Sequence, residues 1–124
     1  MQRKLIIGTR GSPLALYQAN LVKTLLGHES RIKIFKTSGD KISGDLKDFG
    51  GKGLFTKELE AALINGDIDL AVHSMKDVPT ISQEGLSIEA VLKREDPRDA
   101  FISYKVSKLT HLPHKAIVGT ASIR

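Results

Sequence analysis

His73, Ser74, Lys76 and Asp77 put an imidazole, a hydroxyl, an ammonium and a carboxylate within five consecutive residues. They follow the apolar run Leu70 to Val72, which fits a short buried strand, and Pro79 ends regular structure soon after. In open α/β sheets ligands bind just beyond the carboxyl ends of strands, so this polar loop reads as a ligand site. Each residue also has a plainer role open to it. Asp77 could cap a helix, Lys76 could be a solvated charge, and His73 could be a partly buried, satisfied imidazole. A second candidate is the turn Thr9-Arg10-Gly11-Ser12-Pro13, with Ser12 suited to an N-cap and Pro13 to the first helical position. The free N–H groups and partial positive charge of a helix start, with Arg10 alongside, suit a carboxylate or phosphate. The plainer readings there are an ordinary cap and a surface charge.

The elements that must position these groups follow from periodicity. Lys4 to Thr9 reads as a strand. Leu14, Ala15, Gln18, Ala19, Val22, Leu25 and Leu26 mark one face of a helix that Gly27 stops. Arg31 to Thr37 alternates in part and reads as a second strand, giving a βαβ unit with parallel strands and a right-handed crossover. Leu54 to Asn65 reads as a helix, with Phe55, Leu59, Ala62 and Leu63 on one face and Gly66 just past its end. Gly85 to Leu92, Ala100 to Tyr104 and Ile117 to Gly119 read as further strands, and Lys108 to Pro113 as a turn or helical turn. The charged break Lys93 to Asp99, with Pro97 inside it, is the best candidate for a domain boundary or hinge, an ordinary exposed loop being the plainer alternative.

Ser38 to Gly53 is rich in glycine and mixed charge, and long for a connector, so it is either a disordered segment or a functional lid. The cluster Gly50-Gly51-Lys52-Gly53 is not a phosphate loop. Leu46 and Gly53 stand where that motif needs a glycine and a Ser or Thr. Ile6 to Ser12 also resembles Ile117 to Ser122: an apolar strand, Gly-Thr, then a serine. Two such turns facing each other would form an anion-binding cleft between two lobes. The helix expected after the second turn would lie past Arg124, so the sequence reads as cut inside its second lobe.

Composition bounds the rest. The chain has 124 residues, 40% hydrophobic and 27% charged, ordinary for a soluble globular domain. No apolar run approaches a membrane span or signal peptide, so no membrane association and a cytoplasmic location are the expectation. With no cysteine, the chain holds no disulfide, thiolate nucleophile or cysteine metal site. His111 and His114 have no carboxylate or cysteine near them in sequence, and no metal is expected. The net charge of +5 is scattered, interleaved with acidic residues and poor in aromatics, which favours small polyanions over nucleic acid.

Five motifs, in order and spanning essentially the whole chain, resemble the N-terminal part of the hydroxymethylbilane synthase (porphobilinogen deaminase) family. They are Gly8 to Leu16, Gly50 to Phe55, Ala71 to Pro79, Arg94 to Phe101 and Val118 to Arg124. The resemblance implies an α/β fold: a type II periplasmic-binding-protein-like domain with a mixed, mostly parallel sheet, plus the first part of a second similar domain. Residues 1–95 would form domain 1, and 96–124 the hinge and start of domain 2. The rest of domain 2, and a third domain whose cysteine carries a covalent dipyrromethane cofactor, would be absent. The family condenses four porphobilinogen molecules head to tail, releasing ammonia, to give the linear tetrapyrrole hydroxymethylbilane.

Carried over by position, Arg10, Ser12, Ser74, Lys76, Thr120, Ser122 and Arg124 match residues that bind carboxylates of cofactor or substrate. Asp77 matches the catalytic carboxylate, and Lys52 and Phe55 match a mobile loop over the cleft. Gln18 and Arg94 match further contacts. Ala121 departs from a serine common in relatives, at little expected cost. The partners implied are porphobilinogen and polypyrrole intermediates, with a monomer expected. The 124 residues alone are expected to be inactive. The competing readings are a non-catalytic lobe that binds an organic anion, which has no need of Asp77, and a nucleic-acid binder, which needs one concentrated basic face.

Overall fold

The computed structural model describes residues 4–27, 29–43 and 53–120. The chain divides into two compact units, 1–89 and 90–124. In the first, β1 (Leu5–Arg10) leads into α1 (Pro13–Leu26), and β2 (Ser30–Phe35) follows. A 3-10 turn, Gly39–Lys41, precedes α2 (Lys57–Ile64). The two-residue β3 (Leu70–Ala71) and a 3-10 turn at Met75–Asp77 complete the described elements of this unit. The sheet order is β2-β1-β3 and every pairing is parallel, so the βαβ unit read from periodicity is present. The architecture is a small α/β unit built on a parallel sheet.

Alternation along β1 sends its two faces to different helices. Ile7 and Thr9 are fully buried, and the Thr9 hydroxyl donates to the Ala15 carbonyl of α1 at 3.2 Å. Ile6 packs on the opposite face against the core cluster of Leu59, Ala62 and Ile68, with Phe35, Leu63 and Ala71 at its edge. Leu59 and Ile68 are almost fully buried, each contributing about 1.5–3 kcal/mol. Gly8 lies beneath Ile68, where a Cβ would come within 2.3 Å of Cδ1, so a side chain there would displace the end of that buried isoleucine.

The ends of the elements have local causes. Ser12 is the N-cap of α1, its Oγ accepting from Ala15 N at 3.3 Å, and Pro13 stands at the first position. Gly27 closes the helix in the left-handed conformation at φ +61°, and Gly66 past α2 does so at +74°. Two predicted boundaries shift. β2 stops at Phe35 because Thr37 turns its N–H and hydroxyl onto Asp40 Oδ2, at 3.1 and 2.7 Å. α2 starts at Lys57 rather than Leu54, because the Leu54 carbonyl accepts from Gly39 N at 2.7 Å across the turn.

Three predicted strands are not present. Gly85–Leu92, Ala100–Tyr104 and Ile117–Gly119 have no strand pairing, and Ile88, Val91, Ile102 and Ile117 are exposed. Alternating apolar side chains supply a face, but a strand also needs a neighbouring backbone to pair with, and among the described residues these segments have none. The helical turn read in Lys108 to Pro113 is a 3-10 turn at Leu109–His111. Among the described residues no helix is long and apolar enough to cross a membrane. Within Ser38 to Gly53, the stretch 44–52 lies outside the described residues.

Candidate functional site

The carboxyl ends of β1 and β3 lie side by side because the strands run parallel in one register: Ile7 pairs with Leu70 and Gly8 with Ala71. Each strand then empties into its own polar turn, Arg10–Ser12 after β1 and His73–Asp77 after β3. The ladder extends one step further, since Val72 N donates to Gly8 O at 3.0 Å. Two segments more than sixty residues apart thereby line one cavity of about 300 Å3. Arg10, Ser12, His73, Ser74, Lys76 and Asp77 form its polar wall, and Leu14, Ala15, Phe55 and Val72 its apolar wall. Of the residues named from sequence, Arg10, Ser12, Ser74, Lys76, Asp77 and Phe55 come together here. Lys52, Ser122 and Arg124, with the departure at Ala121, lie outside the described residues. Thr120 and Arg94 belong to the second unit.

Arg10 is the most constrained cation of the site. Its Nε lies 3.2 and 3.3 Å from the two Asp40 oxygens, and Nη2 bonds Asp40 Oδ1. Nη1 reaches Asp77 Oδ2 at 3.5 Å, and the guanidinium carbon stands 4.1 Å from the Phe55 ring centroid. The side chains of Arg10, Asp40 and Asp77 are only 18–21% exposed, so these charges are weakly screened. The hydrogen bond to Asp40 raises the Arg10 pKa above its ordinary value, against desolvation. The same bond, helped by Thr37, holds the Asp40 carboxyl down from 3.8 to about 2. Burial pushes the His73 pKa below its ordinary value, so the imidazole in the wall is neutral at pH 7.

Around this centre are groups suited to anions. α1 has no acidic residue in its first turn, so its N-terminus keeps its partial positive charge at the cavity. Ser74 Oγ donates to Gln18 Oε1 at 2.8 Å, which ties the β3 turn to α1 and accounts for Gln18 near the site. Lys76 is exposed at the rim. The wall can therefore receive carboxylates through Lys76, Ser12 and the helix start, while Asp77 offers an anionic face for an N–H donor or a positive centre.

Asp40 does not stand out in the sequence, where it is one charge among several in a glycine-rich segment. The available signal was Thr37-Ser38-Gly39-Asp40, in which an acid three residues after a threonine can fold back on its N–H and hydroxyl. The next turn is fixed in the same manner: Glu58 Oε1 accepts from Ser38 N at 2.7 Å and from the Ser38 hydroxyl.

The chain is similar to known proteins along almost its whole length. The family model described as porphobilinogen deaminase, dipyrromethane cofactor binding domain, matches residues 5–124. A porphobilinogen deaminase of Helicobacter acinonychis (strain Sheeba) is 55% identical over 126 residues, covering 98% of this chain and 41% of the relative. A chloroplastic porphobilinogen deaminase of Pisum sativum is 56% identical over 128 residues, covering 95% and 35%. That of a Nitratiruptor species is 54% identical over 125 residues, covering 98% and 40%. The chain thus spans about two fifths of the length of the curated relatives it matches. By the match over residues 5–124, this chain belongs to the porphobilinogen deaminase family, in its dipyrromethane cofactor binding domain.

Proposed function

We propose that this chain supplies the amino-terminal wall of the catalytic cleft of a hydroxymethylbilane synthase. Such an enzyme joins four porphobilinogen molecules head to tail and releases one ammonia at each step. The observation that carries the reading is Asp77, set in a cavity with Arg10 at 3.5 Å and with Lys76, Ser12 and Ser74 in the same wall. Each pyrrole unit brings an acetate and a propionate, so the growing chain gains negative charge at every addition. Cationic groups and a helix start hold such a ligand. Loss of ammonia breaks the methylene C–N bond, the electron pair leaves with nitrogen, and positive charge spreads over the pyrrole. Asp77 can accept a bond from the pyrrole N–H and stabilise that charge. It can also take up a proton released when the new carbon–carbon bond forms.

A dipyrromethane suits the same wall, because its carboxylates match the hydroxyls and cations here and the turn after β1 leads into the partially positive end of α1. Arg10, Ser12, Ser74 and Lys76 would hold it. When bound, it supplies the nucleophilic pyrrole carbon on which the first unit is placed. Its covalent attachment needs a cysteine, and this chain has none. In this reading residues 1–95 are a domain of type II periplasmic-binding-protein kind, and 96–124 are a hinge and the start of a second. Thr120, Ser122 and Arg124 belong to the second anion-binding turn, and Lys52 to a loop that excludes water. The whole enzyme is a cytoplasmic monomer, and the 124 residues alone do not catalyse.

The test is Asp77→Asn in the full-length protein, assayed by ammonia release and product formation. We expect turnover to fall by at least about 100-fold with the fold retained. Near-normal ammonia release would sink the reading and leave the organic-anion-binding lobe in its place.

A further inference from the structure

The guanidinium of Arg10 lies between two carboxylates and does not share itself evenly. Asp40 takes Nε and Nη2 together, a two-pronged arrangement, whereas Asp77 takes one contact at the outer limit of hydrogen-bond range. Asp40 is itself anchored, since the N–H and hydroxyl of Thr37 both donate to its Oδ2. The ring of Phe55 closes one face of the guanidinium plane. Arg10 is therefore held on three sides, and its position is set by a group that lines no part of the cavity.

We propose that Asp40 is a positioning residue: it holds Arg10 as an anion receptor and keeps the guanidinium from closing onto Asp77. This rests on the functional reading above. Without the Asp40 charge, the nearest carboxylate left to Arg10 among the described residues is Asp77, already 3.5 Å away. A full Arg10–Asp77 pair would disable two functions at once. The guanidinium would be withdrawn from substrate carboxylates, and Asp77 from the developing positive charge. Asn at position 40 has one acceptor oxygen. If that oxygen stays with Thr37, the amide NH2 meets the guanidinium donor to donor and pushes it toward Asp77.

The experiment is a double-mutant cycle in the full-length enzyme, using Asp40→Asn and Arg10→Gln singly and together, with kcat and KM measured separately. In the wild-type background Asp40→Asn should raise KM and lower kcat together, with kcat/KM down about 10- to 100-fold. In the Arg10→Gln background the same change should move kcat/KM by less than about threefold, because its effect passes through Arg10. A merely structural part in the Thr37 turn would give the same loss in both backgrounds, and that result overturns the proposal. So do wild-type constants for Asp40→Asn. Asp40→Glu covers a failure of the Asn variant to fold. It keeps the charge on a longer arm and should lie between wild type and Asn, or above about one tenth of wild-type kcat/KM if Asn gives no protein. A value below that overturns the proposal as well. Asp77→Asn separates the two claims. If it abolishes turnover while the cycle is additive, only the role of Asp40 falls; if turnover survives it, the functional reading falls first.

Discussion

Gly39→Ala tests whether the packing beneath the site is as tight as the structure has it. The backbone of Gly39 is outside the left-handed region, so alanine meets no conformational objection there. Its methyl would, however, stand 2.2, 2.5 and 2.7 Å from three carbons of the Phe55 ring. Carbon atoms rest at about 3.5–4.0 Å, so the ring must retreat by about 1 Å or more. It cannot do so without leaving the guanidinium that stands 4.1 Å above it. Overpacking of this kind costs about 1–3 kcal/mol, and loss of the cation–π contact about 0.5–1 kcal/mol more. A loss of about 1.5–4 kcal/mol is expected, read as a lowered denaturant midpoint in the full-length protein, with weaker substrate binding through a displaced Arg10. Adding Phe55→Leu to Gly39→Ala should recover most of the stability but not the binding. Wild-type stability for Gly39→Ala would refute the reasoning, as would a double variant no more stable than the single.

Acid sensitivity follows from Asp40. Its carboxyl is held at about 2 in the folded chain against an ordinary 3.8, so its contribution is complete above about pH 4 and lost as pH falls toward 2. Wild type should exceed Asp40→Asn in stability by at most about 2 kcal/mol at neutral pH, and the gap should narrow over that acid window in denaturant titrations. A gap constant from pH 7 to pH 2 would contradict the assignment. Ser12→Ala removes the cap of α1 and should cost about 1 kcal/mol, whereas Ser12→Gly should cost only a few tenths. Equal thermal shifts for the two would mean that the Ser12 oxygen does not cap the helix.

What could be read from residue order alone is whatever the chain settles with its near neighbours. Ser12 and Pro13 start a helix and Gly27 ends one within a few residues of themselves, and the βαβ unit follows from two apolar runs flanking one amphipathic stretch. The polar turn at Ser74 to Asp77 and the turn at Arg10 to Ser12 were legible because chemistry-bearing side chains stand just past strand ends. Pairing was not legible in that way. Gly85–Leu92 has a strand's alternation and no strand partner among the described residues, because alternation describes one chain's faces while a ladder needs another backbone at the right distance. Nor was Asp40: nothing within a few residues says that a carboxylate in a glycine-rich turn will grip a guanidinium thirty positions earlier. That contact exists because β1 and β2 lie parallel in one register, bringing Arg10 beside Phe35 and the Thr37 turn just beyond it. Residue types thus determined which chemistry was available. The sheet decided which charges meet, because electrostatic energy depends on distance in space rather than along the chain.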